Sequence, residues 1–228
     1  MQTFIDLVNS NQYLIAAHRG ASGMFAENTI TAFQKAIEMK ADIIEIDIRN
    51  TIDNEIICYH DNNFHNDIAI SDIYYEKLIE YNVPLLRDVL QEFGNKIHFV
   101  IEIKLLVTNI FQHFIYNLMS IIETLKLNDN IVIASEVPKY LSLVKNITNN
   151  KIKTAWVYNA NIINAKNNYD AIICSIAELE KIEQNNNIIG VYGVNSLEDV
   201  RKCIKNNVKI IGTDYILEIR KYLKQLEK

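Results

Sequence analysis

The sequence predicts an α/β protein folded as a closed TIM (β/α)₈ barrel, a single domain over residues 1–228 with no large insertion. Eight short apolar segments are typical of strands, and amphipathic stretches typical of helices separate most of them. No Pro-, Gly- or Ser-rich linker divides the chain, and 228 residues with 49% hydrophobic residues suit one barrel core. The predicted strands lie near 13–18, 42–49, 97–103, 130–134, 152–157, 170–174, 188–194 and 208–212.

Four of the predicted helices have clear signatures. Apolar residues recur at helical spacing from Ile30 to Ile37, from Ile110 to Leu125 and from Val137 to Ile147. Asn28 is the expected N-cap of the first of these, and Ser196-Leu197-Glu198-Asp199 resembles a capping box that opens a later helix. Asparagine tolerates the left-handed conformation that ends helices, and it clusters at 149–150, 167–168, 185–187 and 206–207.

An extra strand near 55–60 does not fit the alternation of strand and helix. Asp53-Asn54 alone separates it from the second strand, and a two-residue loop joins antiparallel strands. A turn centred there pairs residue 52 with 55, 49 with 58, and Asp47 with His60. We therefore expect a short antiparallel hairpin above the barrel mouth that brings His60 beside the acids.

Composition and charge argue against several classes of partner. A net charge of −5 without a basic cluster argues against nucleic acid. No apolar run approaches the ~20 residues that span a bilayer, and the first residues lack the pattern of a signal peptide. Cys58, Cys174 and Cys203 are widely spaced and are expected to be buried free thiols. We expect a cytoplasmic protein without a transmembrane segment; its oligomeric state stays open.

Charged residues share one face of two predicted strands. Side chains at i and i+2 point to the same side, so Glu45 lies beside Asp47 and Glu102 beside Lys104. Strongly apolar residues flank both pairs, which makes these charges costly to bury unless something neutralises them. His18, Asp47 and Lys104 fall at the carboxyl ends of strands, where barrel active sites lie. The pattern predicts one charged site at the barrel mouth.

Three carboxylates in this arrangement predict a metal ion. Glu45, Asp47 and Glu102 cannot all ionise at close range without a cation. An all-oxygen ligand set suits a hard ion, Mg²⁺ or Ca²⁺, rather than zinc. His18 and His60 are then available as acid and base, because their unperturbed pKa lies near ~6.5.

Other interpretations of the same residues stay open. The whole set could form a polar layer that fills the barrel mouth, although the number of like charges argues against it. Lys104 could act as the Schiff-base nucleophile of an aldolase, although a lysine beside three acids should stay protonated. A barrel that binds a phosphorylated metabolite without turnover is the third alternative, and the intact histidine pair argues against it.

The motifs resemble the glycerophosphodiester phosphodiesterase family over nearly the full length of the chain. Their combination is specific, although each piece alone is weak. In chain order they are His18-Arg19-Gly20-Ala21, Glu27-Asn28-Thr29, Ala32-Phe33, Ala41-Asp42, Ile44-Glu45-Ile46-Asp47, His60-Asp61, Val83-Pro84-Leu85-Leu86, Glu102-Ile103-Lys104, Val194-Asn195 and Thr213-Asp214-Tyr215.

The resemblance implies a barrel that uses a divalent cation to hydrolyse glycerophosphodiesters to sn-glycerol 3-phosphate and an alcohol. The resemblance further implies that the glycerol hydroxyl attacks phosphorus to give a cyclic phosphate, which water then opens. Which histidine is the first base stays open. The resemblance implies that Glu45, Asp47 and Glu102 are the metal ligands. His18 and His60 are the implied acid–base pair, and Arg19 and Lys104 are the implied phosphate-binding cations.

Departures from the family pattern fall where the alcohol group would be recognised. Ala26 stands where Pro is usual, Glu136 where an aromatic residue often follows the serine, and Tyr192 where Trp is common. The headgroup is therefore left open, and soluble diesters are favoured because the acidic chain offers no strong attraction to anionic lipid. The candidate pocket wall comprises Ser135, Trp156, Tyr192 and Asn195.

Overall fold

Parallel strands close into a barrel in the computed structural model, which describes residues 1–106, 110–160, 169–182 and 188–226. The strands of the described residues are β1 (Leu14–His18), β2 (Ile43–Asn50), β3 (Ile56–Cys58), β4 (His98–Ile103), β5 (Ile131–Ser135), β6 (Lys153–Val157), β7 (Ala171–Ser175), β8 (Ile188–Tyr192) and β9 (Ile210–Thr213). The ring runs β1, β9, β8, β7, β6, β5, β4, β2, and β1 pairs with β2 to close it. The short β3 pairs antiparallel with β2 outside the ring. The predicted fold class is confirmed.

Helices surround the ring, and four of them lie where the sequence predicts a helix. The described α-helices are α1 (Phe4–Ser10), α2 (Ile30–Glu38), α3 (Leu86–Phe93), α4 (Phe111–Thr124), α5 (Pro138–Thr148), α6 (Leu197–Lys205) and α7 (Ile216–Leu226). Short 3₁₀ turns fill the path from β3 to α3, and one at Leu179–Lys181 follows β7. Within the described ranges, no helix is long and apolar enough to cross a membrane.

Strand alternation separates two apolar cores. On β2, Ile44, Ile46 and Ile48 face outward and are fully buried beneath the helices; each such side chain contributes about 1.5–3 kcal/mol of burial free energy. The inward set is smaller and fills the barrel axis, where Phe4 and Val8 of α1 also pack. Because successive side chains point to opposite faces, alternation decides which residues reach the barrel interior.

The hairpin forms, but its predicted register is wrong by one residue. Ile48 pairs with Cys58, whereas the prediction pairs residue 49 with 58. The loop holds three residues rather than two, because Thr51 bonds to Glu55 and Asn54 adopts the left-handed conformation at φ 63°. A three-residue loop that ends in a left-handed residue is a common hairpin connection. Asp47 therefore faces residue 59, and His60 lies beyond the end of β3.

The predicted cap of α2 is also wrong by one residue. The hydroxyl of Thr29 accepts a hydrogen bond from the Ala32 amide, so Thr29 is the N-cap. The capping box at Ser196 is confirmed, with both reciprocal hydrogen bonds to Asp199 in place. Left-handed asparagines at 149, 150 and 207 end helices as expected, whereas the clusters at 167–168 and 185–187 lie outside the described residues.

The cysteines are buried free thiols, as predicted. Cys58 lies on β3 and Cys174 on β7, and Cys203 faces inward from α6. Burial raises the pKa of Cys174 and of Cys203 to about 12, so neither is a thiolate at neutral pH.

Candidate active site

Three carboxylates meet at the carboxyl end of the barrel. Because β1, β2 and β4 run side by side, His18 is in register with Glu45, and Asp47 is in register with Glu102. Oxygen atoms of Glu45, Asp47 and Glu102 all lie within 4.8 Å of one another. The structure thus brings together the three residues that the sequence proposes as metal ligands.

The electrostatics of this cluster fit a divalent ion. Burial raises the pKa of Glu45 to about 8, and the nearby charge of Asp47 adds to the shift. Burial also raises the pKa of Glu102. Without a further cation, the cluster therefore holds carboxyl groups that resist ionisation, and a bound cation favours their charged form. The three acids offer the oxygen ligands that Mg²⁺ and Ca²⁺ prefer.

Lys104 bridges two of the acids. Its Nζ lies 2.9 Å from Asp47 Oδ1 and 2.7 Å from Glu102 Oε1. Burial alone would lower the pKa of Lys104, but the charges of Glu102 and Asp47 outweigh it and raise the pKa. Burial likewise tends to raise the pKa of Asp47, yet Lys104 and the other partners hold it below its usual range. A lysine kept charged in this way is a poor Schiff-base nucleophile.

Arg19 contacts the same cluster through its backbone and its side chain. The residue is left-handed at φ 57°, and its amide donates to Glu45 Oε2 at 2.9 Å. Its Nη1 donates to both oxygens of Glu27 at 3.0 and 3.1 Å. Its Nε lies 3.1 Å from Asp47 Oδ2 as an ion pair rather than an aligned hydrogen bond. Gly20 follows at φ 84°, and a Cβ there would lie 2.8 Å from Ala32.

A hydrogen-bonded network orients His18. Its Nδ1 lies 2.9 Å from Asp214 Oδ1, and Asp214 also accepts bonds from Ser22 and Asn195 at 2.9 and 2.7 Å. The bond with His18 keeps the pKa of Asp214 below its usual range, so this carboxylate is an acceptor. The hydrogen therefore sits on Nδ1, and Nε2 is the nitrogen left for a substrate. Burial alone would lower the pKa of His18, yet Asp214 and Glu45 together raise it.

His60 has a similar but more exposed pairing. Its Nδ1 lies 2.7 Å from Asp61 Oδ1, and the Asp61 side chain is 71% exposed. Arg49 Nε donates to the backbone carbonyl of His60 at 2.8 Å, which ties the end of the hairpin to β2. Each histidine therefore presents one ring nitrogen away from its carboxylate partner.

A cavity of about 150 Å³ joins these groups. His18 and His60 both line it, together with the carboxylates of Glu45 and Glu102. Tyr192 stacks against His18, with ring centroids 5.9 Å apart, and forms part of the wall. The remaining lining residues are Arg19, Lys104, Glu136, Val100, Ala134, Val157 and Ile173.

Three of the four expected wall residues do not line this cavity. Ser135 donates to the Ile103 carbonyl at 2.8 Å and is fully buried, and Trp156 packs in the outer core. Both face outward by strand alternation, whereas their neighbours Glu136 and Val157 line the cavity. The side-chain amide of Asn195 instead donates a hydrogen bond to Asp214.

Other residues support the site, although the sequence alone assigned them no role in it. The Asn28 amide donates to Asp47 Oδ2 at 3.0 Å, and its oxygen accepts from the Asp47 amide at 3.2 Å. Glu27 anchors Arg19, and Asp214 anchors His18. Asp214 carried a signal, since it directly follows the last barrel strand at its carboxyl end. Asn28 is left-handed at φ 55° and does not act as an ordinary N-cap; in the sequence its only other signal was the Glu27-Asn28-Thr29 motif.

The chain belongs to the glycerophosphoryl diester phosphodiesterase family, whose family model matches residues 18–218. A glycerophosphodiester phosphodiesterase of Bacillus subtilis is 33% identical over 124 residues, 43% of this chain and 42% of that protein. Another, from Caldanaerobacter subterraneus, is 35% identical over 109 residues, 40% of this chain and 45% of that protein. These alignments span less than half the length of the curated relatives.

Solved structures share the fold. A glycerophosphodiester phosphodiesterase from Parabacteroides distasonis superposes with a TM-score of 0.84 at 20% identity, over 96% of this chain and 99% of that one. A phosphodiesterase from Oleispira antarctica, solved with the product sn-glycerol-3-phosphate, gives 0.80 at 16% identity, over 95% and 99%. At such identities the likeness concerns the barrel itself.

Proposed function

We propose that this protein hydrolyses glycerophosphodiesters to sn-glycerol 3-phosphate and an alcohol with the help of one divalent cation. The observation that carries the proposal is a cluster of three carboxylates, two of which line one small cavity together with two carboxylate-paired histidines. Family membership supports the same reaction class. A cation site flanked by two imidazoles is suited to moving protons while phosphorus changes partners.

Glu45, Asp47 and Glu102 would hold the cation, as Mg²⁺ or Ca²⁺. Bound there, the ion supplies Lewis-acid stabilisation of charge that develops on phosphoryl oxygens. Each oxygen of Asp47 already accepts a hydrogen bond or an ion pair, yet a carboxylate oxygen carries two lone pairs and can accept another ligand. Asn28 keeps the Asp47 carboxylate in place through two hydrogen bonds, one to its side chain and one from its backbone amide.

His18 and His60 serve as the acid–base pair in this proposal. One imidazole takes the proton of the attacking glycerol hydroxyl, and the other donates a proton to the departing alcohol oxygen. Asp214 holds His18 in the tautomer that presents Nε2. Asp61 supports His60 in the same way. Proton transfer by such groups contributes about 10²- to 10⁴-fold to a rate.

Arg19 and Lys104 hold the phosphate. Both cations line the cavity, and both are fixed by carboxylates rather than free to swing. Arg19 offers a planar fork of donors that matches phosphate oxygens. Lys104 is kept protonated by the acids around it.

We also propose that the protein works in the cytoplasm, because its buried free thiols suit a reducing compartment.

A panel of glycerophosphodiesters assayed with and without EDTA tests the proposal. We expect release of sn-glycerol 3-phosphate, its loss on chelation, and its return when Mg²⁺ or Ca²⁺ is added. Binding of the diesters without any product would favour the phosphometabolite-binding barrel instead. Product formation that is indifferent to EDTA would remove the metal from the proposal.

A further inference from the structure

A second cavity of about 430 Å³ opens beside the first. His60, Glu102, Lys104 and Glu136 border both, so the two cavities meet at one shared wall. The larger cavity continues over Arg49, Ile103, Leu105, Val137 and Asn159. A diester phosphate held at the shared wall would extend one arm into each cavity.

Glu136 brings a negative charge to this second cavity. It follows β5 directly, at the carboxyl end of the barrel, and its side chain is exposed. Asn159 Nδ2 donates to its Oε2 at 3.1 Å. Among the residues that the structure describes, no lysine, arginine or histidine nitrogen lies within 4.0 Å of this carboxylate. Its charge is thus available to a ligand.

Arg49 brings a positive charge to the same cavity. Its Nε donates to the His60 carbonyl, and its Nη1 donates to Asn62 Oδ1 and the Leu105 carbonyl at 3.3 and 3.4 Å. A guanidinium has five N–H groups, and Nη2 makes no hydrogen bond within the described ranges. No carboxylate oxygen of those ranges lies within 4.0 Å of Arg49, including that of Glu136. Two opposite charges therefore line one cavity without pairing.

We propose that the second cavity binds the alcohol arm of the substrate and selects an alcohol that carries both an ammonium and a carboxylate, as serine does. The inference rests on the proposed function, because the glycerol arm must lie beside His18 and the metal ligands for its hydroxyl to attack phosphorus. The alcohol arm then occupies the other cavity. Its ammonium faces Glu136, and its carboxylate faces the free Nη2 of Arg49, which can donate a charge-assisted hydrogen bond to it.

The reaction is unchanged by this assignment. The glycerol hydroxyl oxygen bonds to phosphorus as the bond from phosphorus to the serine oxygen breaks. One histidine takes the hydroxyl proton, and the other gives a proton to the serine oxygen. Glu136 and Arg49 touch only the part of the alcohol that does not react, so their contacts with it determine specificity, while Arg49 separately supports His60 through its backbone carbonyl.

The test compares kcat/KM for three diesters with Mg²⁺ present: glycerophosphoserine, glycerophosphoethanolamine and glycerophosphoglycerol. We expect the wild type to prefer glycerophosphoserine over glycerophosphoglycerol by about tenfold or more, as complementary charge allows. Glu136→Gln should lower kcat/KM about tenfold for the two amine substrates and leave glycerophosphoglycerol within about twofold. Glu92→Gln is the matched control, since Glu92 is exposed on α3 toward the opposite end of the barrel.

Arg49→Gln tests recognition of the substrate carboxylate separately from recognition of the ammonium. Because Arg49 also supports His60, every substrate should slow, and the informative quantity is the ratio of kcat/KM for glycerophosphoserine to that for glycerophosphoethanolamine. This ratio should fall about tenfold, since only serine carries the carboxylate.

The outcomes distinguish this inference from the proposed function. If none of the three diesters is hydrolysed, both the proposed function and the inference that rests on it are overturned. If all are hydrolysed at similar efficiency, and neither Glu136→Gln nor Arg49→Gln changes the ratios, the function stands and the inference is overturned.

Discussion

The two halves of the barrel mouth differ sharply although they are built the same way. On β1, β2 and β4 inward positions near the mouth carry His18, Asp47 and Glu102. On β6 and β7 the corresponding inward positions carry Val157 and Ile173, which pack with the inner core. The strand geometry is equivalent, so residue type alone decides the difference. One half carries the proposed chemistry, and the other half is a passive wall.

Removing a histidine from the charged half should have the largest effect. We expect His18→Ala or His60→Ala to lower kcat about 10²- to 10⁴-fold, the usual contribution of a general acid or base. His113→Ala is the control, because His113 is exposed on α4. Steady-state kinetics on any accepted diester measures the change. A variant that keeps full turnover would exclude that histidine from the mechanism.

Removing the carboxylate that orients His18, while keeping His18 itself, should have the next largest effect. In Asp214→Asn the acceptor for Nδ1–H is replaced by an amide that can equally present a donor, so the tautomer is no longer fixed. We expect kcat to fall about 10- to 100-fold, the range found for hydrogen-bond partners that orient metal-binding histidines. KM should change little. The measurement is a double-mutant cycle with His18→Ala.

The cycle identifies how Asp214 acts. If Asp214 works through His18, adding Asp214→Asn to His18→Ala should cause no further loss of kcat. An additional loss of similar size in the double variant would show that Asp214 acts by some other route.

A change in the apolar half should have the smallest effect. Ile173→Val removes one methyl group from the cavity wall, so kcat/KM should stay within about threefold and the free energy of unfolding should fall by at most about 1 kcal/mol. Urea unfolding and the same kinetic assay give both values. A drop in kcat as large as that of Asp214→Asn would contradict the description of this half as a wall.

The residues of the charged half could be predicted from sequence because strand periodicity determines which side chains share a face. Glu45 and Asp47 stand two residues apart, so one rule places them on one face. The same rule, applied to β5 and β6, favours Glu136 and Val157 over Ser135 and Trp156 as wall residues. That error was one of alternation, and the sequence contained the means to avoid it.

Other features depend on geometry that periodicity does not encode. The hairpin register differs from the prediction by one residue because the loop holds one extra residue, which the left-handed Asn54 allows. The bond between His18 and Asp214 joins residues 196 positions apart and exists because the last strand closes on the first. Asn28 holds Asp47 instead of capping α2, and this contact depends on where the segment before α2 lies relative to β2.

Direct metal binding tests the central claim most closely. EDTA-treated protein should bind one Mg²⁺ or Ca²⁺ per chain in a calorimetric titration, and Asp47→Asn should abolish that binding while circular dichroism remains that of a folded barrel. Glu92→Gln should bind as the wild type does. Undiminished binding to a folded Asp47→Asn variant, or no binding to the wild type, would contradict the assignment of a cation to these three carboxylates.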